Sequence, residues 1–153
     1  HVVCRRQRQM CIRDREGSKV CILSLGTRLE ESLQAANNLA SYGLSTTVAD
    51  ARFAKPIDTE LIKFLAKDHE ILVTVEEGSI GGFSAQVMSY LTRTGLLDSG
   101  LKFRPLFFPD EFIAHGKPNE QNEYCEINSP HITNSILKAL GLPTVENISR
   151  ETA

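Results

Sequence analysis

The sequence predicts an α/β protein, a three-layer α/β/α sandwich built around a mostly parallel sheet of four or five strands. Three observations carry this expectation. From Val20 onward, short apolar or β-branched runs alternate with longer segments of helical period, the pattern produced when helices cover both faces of a parallel sheet. The apolar runs end in glycine or polar loops that open into the next helix, as short crossover connections require. The run ILVTV at 71–75 does not alternate, which marks a strand buried on both faces.

The elements follow in order. VCILSL at 20–25 is too brief for a helix and stops at Gly26, so it reads as a buried strand. Thr27 and Glu30 have the spacing of a capping box, and a helix is expected from there to about Tyr42, with Leu29, Leu33, Ala36 and Ala40 facing the core. Gly43 supplies the left-handed residue that closes it. STTVAD at 45–50 is the second strand. It leads through the loop ARFAKPID to Asp58, which is placed to cap a helix with Leu61, Ile62 and Leu65 inward, ended by Lys67, Asp68 and His69. EILVTVEE at 70–77 is the third strand, GSIGG at 78–82 a loop, and the next helix sets Phe83, Val87, Tyr90 and Leu91 on one face before Gly95. KFRPLFF at 102–108 is a fourth strand, which Pro105 assigns to an edge or a bulge. The stretch from Pro109 to Asn128 reads as a loop too long for a simple connector, hence functional or packed on a partner. Ser129 and Pro130 open a last helix with Ile132, Ile136, Leu137 and Leu140 inward, and Gly141 closes it.

Composition bounds the function. The 153 residues, 41% hydrophobic and 24% charged, suit one domain with a core of its own. No apolar run approaches the roughly 18 residues that span a bilayer, and residues 1–15 lack the apolar centre of a secretory leader. A cytoplasmic protein with no membrane partner is expected. Residues 1–15 hold five arginines against Asp14, a net +4, which leaves −6 on the remainder. An acidic body does not attract nucleic acid. The basic leader, with Cys4 and Cys11, shows neither strand nor helix period and reads as a segment foreign to the fold. The domain is therefore bounded at 16–142, followed by a loose tail at 143–153.

Side chains with chemical potential gather in the loops that follow the strands. Gly26-Thr27 and the 78–82 loop both open onto helix N-termini, where phosphate could bind, but neither matches a phosphate-loop or dinucleotide fingerprint, and tight-turn geometry accounts for the glycines. Glu76 and Glu77 are adjacent on a strand end and point to opposite faces, which disqualifies them as a cooperating acid/base pair. One is expected to pair with a cation such as Arg52 or Lys55 and the other to cap the following helix. His69, His115 and His131 lack metal-ligand spacing, no nucleophile elbow is present, and Cys125 with His131 makes no recognisable hydrolase pair.

Three strings, LSTTVADARFAKPID at 44–58, ILVTVEEGSIGGF at 71–83 and PDEFIAHG at 109–116, closely resemble the C-terminal, transketolase-like domain of 1-deoxy-D-xylulose-5-phosphate synthase. The first is shared widely among transketolase-like enzymes, including β subunits of 2-oxo acid dehydrogenases; the last leans toward the synthase. The resemblance implies a thiamine-diphosphate- and magnesium-dependent condensation of pyruvate with glyceraldehyde 3-phosphate in isoprenoid precursor synthesis, by a homodimer. It also implies that cofactor and metal sit on other domains of the same polypeptide. The chain is then a fragment with no catalytic, cofactor or metal residue of its own, and contains no Gly-Asp-Gly. Its candidate residues line an interdomain face: Arg52, Phe53, Lys55, Asp58, Glu76, Glu77, Gly81, Gly82 and His115. Exposed in isolation, Phe53 would favour aggregation. The alternatives are the C-terminal domain of another transketolase-like enzyme, such as a 2-oxo acid dehydrogenase β subunit, and a stand-alone phosphate-binding α/β module.

Overall fold

A computed structural model describes residues 12–15 and 19–145. Residues 1–11 of the expected leader, with Cys4 and Cys11, and residues 146–153 of the expected tail lie outside the described residues. Five strands form one sheet: β1 (Ile12–Arg15), β2 (Val20–Ser24), β3 (Thr46–Asp50), β4 (Ile71–Val75) and β5 (Lys102–Leu106), in the order β1-β3-β2-β4-β5. β3, β2, β4 and β5 are mutually parallel, and β1 runs antiparallel on the outer side of β3. The helices are α1 (Leu29–Ala40, entered through a 3₁₀ turn at Gly26–Arg28), α2 (Thr59–Asp68), α3 (Phe83–Arg93), α4 (Pro118–Tyr124) and α5 (Ser129–Ala139). None of the helices among the described residues is long and apolar enough to cross a membrane.

The alternation of strand side chains sorts the core into two layers. Val20, Ile22, Val48, Ile71, Val73 and Val75 meet α1 and α5 on one face, with Leu39, Ile132, Ile136 and Leu137 fully buried there. Cys21, Leu23, Ala49 and Leu72 meet α2 and α3 on the other, against Ile62, Leu65, Phe83, Val87 and Leu91. The expected sandwich is therefore present. β2 and β4 are buried throughout, as non-alternating apolar strands must be.

The helix ends follow local chemistry where a local signal exists. Asp58 accepts from the Leu61 amide at 3.0 Å and caps α2. α1, α3 and α5 each close on a left-handed glycine, Gly43, Gly95 and Gly141, and the residue after each donates back to the last turn, Leu44 to Leu39, Leu96 to Leu91 and Leu142 to Leu137.

Four expectations are corrected. The Thr27–Glu30 capping box does not form, because Gly26 (φ +72°) starts a 3₁₀ turn that absorbs Thr27 and puts Arg28 at the helix entry without a side-chain cap. The buried stripe of α1 is accordingly Ser32, Ala35, Ala36 and Leu39, while Leu29 and Leu33 pack from the margin and Ala40 is exposed. The long loop contains α4, whose sequence signal was Pro118 at a helix start. Its nearly two turns, PNEQNEY, bury only Asn122 and so show no apolar period. Finally, Ile12–Arg15, assigned by sequence to a segment outside the fold, pairs with β3 (Ile12 opposite Asp50, Arg13 opposite Ala49). A free sheet edge offers backbone donors and acceptors to any extended segment, whatever its side-chain pattern.

Pro105 lies on β5, which is an edge strand as its proline requires. Lys102 donates its amide to Glu70 on the inner side, so by alternation the nitrogen of Pro105 faces outward, where the missing N–H removes a donor from the open edge.

Candidate functional site

The parallel strands β2 to β5 end along one edge, where Leu25–Arg28, Ala51–Asp58, Glu76–Gly82 and Phe107–Lys117 gather. β3 lies on one side of β2 and β4 on the other, so the chain reverses its direction of travel across the sheet between β2 and β4. In open α/β sheets the crevice at such a reversal is the usual ligand site.

Here side chains of the chain itself meet one another at the strand ends. Arg28, in the turn that follows β2, reaches Glu77, in the loop that follows β4, with Nη2 to Oε1 at 2.9 Å. Its Nη1 donates to Asn128 Oδ1 at 3.0 Å. Asn122 of α4, buried, donates to the same Glu77 oxygen at 3.0 Å. A nearly buried guanidinium thus ties two strand ends to the segment that leads into α5, and each partner satisfies part of the polarity of the others.

Glu76 takes the opposite face, as adjacency on a strand dictates. It is 3% exposed, and its carboxylate accepts from the Ser84 amide at 2.6 Å, the Ser84 hydroxyl at 3.0 Å and the Phe83 amide at 3.2 Å. Ser84 in turn accepts from Thr74 Oγ1 at 2.9 Å. Glu76 therefore caps α3 from seven residues upstream. The glycines of the following loop are explained by its volume: a Cβ on Gly82 would stand 2.3 Å from Glu76 Oε1, and one on Gly78 2.7 Å. Gly81, at φ +93°, turns the chain between these two glycines.

The other expected residues divide. Asp58 is the α2 cap already described. Arg52 is exposed in the left-handed region (φ +55°), its amide donating to Asp50 Oδ1 at 2.9 Å, and Phe53 beside it is 46% exposed. Lys55 and His115 are exposed, on the loop after β3 and on the segment after β5. One carboxylate does cap a helix and the other does pair with a cation, but that cation is Arg28 rather than Arg52 or Lys55. Sequence reasoning passed over Arg28, Asn122 and Asn128. The one signal for them was a charged residue one position after the Gly26-Thr27 turn, at the end of a buried strand.

Three of the helix N-termini at this edge already hold anions, while that of α1 has no side-chain cap. α2 has Asp58, α3 has Glu76, and the first amide of α5, at Ser129, donates to Glu31 of α1 at 2.6 Å, so that Glu31 acts where Ser129 was expected to cap. At α2, α3 or α5 a diphosphate or phosphate would have to displace these carboxylates, and at α1 it would meet Glu30 and Glu31 of the first turn. The residues at this edge do not fit the diphosphate of thiamine diphosphate, nor the magnesium that accompanies it: no cluster of three or more potential metal ligands occurs among the described residues.

Farther along, Tyr124 of α4 donates its hydroxyl to Glu111, an acceptor that holds the phenol proton above the ordinary tyrosine range. Burial raises the Cys125 thiol and, far more, the core thiol of Cys21.

The family model for the transketolase C-terminal domain matches residues 10–132. Among solved structures, a split-gene transketolase described as an inactive β4 tetramer superposes with a TM-score of 0.77 at 27% identity, over 88% of this chain and 43% of that one. Transketolase variants of Pichia stipitis, one in complex with fructose 6-phosphate and another with xylulose 5-phosphate, superpose at a TM-score of 0.60 and 14% identity, over 86% of this chain and 18% of theirs. The latter likeness is one of fold. The chain spans less than half the length of each of these structures.

Proposed function

Because the chain belongs to the transketolase C-terminal domain family, we propose that it is the C-terminal domain of a 1-deoxy-D-xylulose-5-phosphate synthase and serves there as scaffold and interdomain surface. Its enzyme would condense pyruvate with glyceraldehyde 3-phosphate, using thiamine diphosphate and magnesium bound on other domains. The observation that carries the scaffold reading is the Arg28–Glu77 pair, which joins the strand ends where an α/β sheet of this order takes a ligand. The carboxylate caps of α2, α3 and α5 argue in the same direction and against a stand-alone phosphate-binding module at those termini. The split-gene tetramer, described as inactive, supports it further. The choice of synthase rests on the strings at 44–58, 71–83 and 109–116, above all PDEFIAHG. The candidate contact surface comprises Arg52, Phe53, Lys55 and His115 on the exposed loops, shaped from beneath by Asp58, Glu76, Glu77, Gly81 and Gly82.

The test is exchange. Placed as the third domain of an otherwise intact synthase, the chain is expected to sustain carbon dioxide release from pyruvate when glyceraldehyde 3-phosphate is added. A soluble, dimeric chimera without that activity counts against the synthase. Calorimetry addresses the scaffold role separately: the chain alone, titrated with thiamine diphosphate and magnesium, is expected to give no saturable heat, and a saturable response would refute it.

A further inference from the structure

We propose that Pro109–Asn128 is a preorganised docking strap with Phe112 as its anchor, and that it fits a protein surface offering an apolar socket rimmed by cations. Phe112 is fully exposed, whereas Ile113 beside it packs into the α1/α5 core layer. Both flanks of the ring are braced on α4. Glu111 accepts the Tyr124 hydroxyl, and Gln121 Nε2 donates to the Ala114 carbonyl at 2.9 Å. α4 is fastened in turn, through Asn122 to Glu77 and through Asn128 to the buried Arg28.

The arrangement is unfavourable for the chain by itself. A phenyl ring loses free energy by standing in water, and a freely adapting loop would fold it inward. Holding both of its neighbours fixed prevents that, without return inside the domain. Such rigidity is returned on association, because an aromatic side chain already in position forfeits little entropy when it enters a pocket. The chemistry of the pocket's rim follows from charge. The strap carries Asp110, Glu111, Glu120, Glu123 and Glu126 against Lys117 alone, a net −4, so a cationic surround is complementary and an acidic one repelled.

The inference rests on the scaffold reading only in requiring a protein partner, and it is tested apart from it. The 153-residue chain is titrated into a dye-labelled amphipathic peptide of leucine and lysine, followed by fluorescence anisotropy. Saturable binding is expected, weakened roughly thirtyfold by Phe112→Ser, a loss of hot-spot size, and unchanged by Tyr42→Ser at another exposed aromatic. A leucine–glutamate peptide is expected not to bind. Phe112→Ser is also expected to leave the urea midpoint in place, since the ring is buried against nothing. Failure of the basic peptide to bind, equal binding of the acidic one, or wild-type affinity in Phe112→Ser each overturns the anchor, while the synthase-exchange result stands or falls independently.

Discussion

Replacing Glu76 is the sharpest test of how this edge is built. Its carboxylate is 3% exposed and accepts from two amides of α3 and one hydroxyl. A hydrogen bond to a charged group contributes roughly 1.5–3 kcal/mol, and a buried donor left without a partner costs about 1–3 kcal/mol. Two such amides at one helix terminus, with water recovering part of the loss in the vacated space, put Glu76→Ala at about 3–5 kcal/mol. Glu76→Gln keeps the shape and one acceptor but turns an NH₂ toward a backbone N–H, so about 2–3 kcal/mol is expected. Against a total stability on the order of 5–15 kcal/mol, both are large. The assay is urea denaturation followed by circular dichroism, with the midpoint falling and the slope unchanged. Gly82→Ala, whose Cβ would meet the carboxylate at 2.3 Å, is expected to displace it and cost a comparable amount. Combined with Glu76→Gln, the two losses are expected to sum to less than their separate values. If Glu76→Gln unfolds within about 0.5 kcal/mol of the parent, the cap does not hold α3 and the account of this loop is wrong.

Two further outcomes follow from the same geometry. The Arg28–Glu77 pair joins a side chain 9% exposed to one 34% exposed, so a double-mutant cycle with alanine at each position is expected to give a coupling of about 1–2 kcal/mol, between surface and buried pairs; a coupling indistinguishable from zero would remove its role in tying the strand ends. Burial holds the Cys21 proton on well above the ordinary thiol range. Above about pH 8.5 the unfolded chain releases that proton while the folded chain keeps it, so stability is expected to fall with rising pH by about 1.4 kcal/mol per unit from this thiol alone. Urea midpoints in reducing buffer from neutral to alkaline pH are expected to fall less steeply in Cys21→Ala; an unchanged slope would assign the loss to other groups.

What could be read from the sequence and what could not divide by range. Asp58, Gly43, Gly95 and Gly141 act within a few residues of themselves, and each does in the structure what its position in the chain announces. The partition of Glu76 and Glu77 to opposite faces was equally local, a matter of strand period. Their partners were not. Glu31 caps a helix that begins at Ser129, 98 residues on, and Arg28 meets Asn128 across 100. No spacing rule encodes those distances; only the order β1-β3-β2-β4-β5 brings them together. The misread cap shows the competition. Thr27 and Glu30 offered a local box, but Gly26 tightens the entry into a 3₁₀ turn, and Glu31, one residue later, serves another helix. The same long-range pairing decides what the edge can do. Glu76, Glu77 and Arg28 are engaged with one another and with helix termini, so what the edge presents outward is the exposed loops, with Phe53 on one and Phe112 on another among their charged neighbours. Reacting groups must be free to change their hydrogen bonds during a turnover, whereas a contact surface works best when they are not. An edge whose ion pair and capping carboxylates are engaged in this way is therefore suited to being held against something else, as the proposed scaffold role requires.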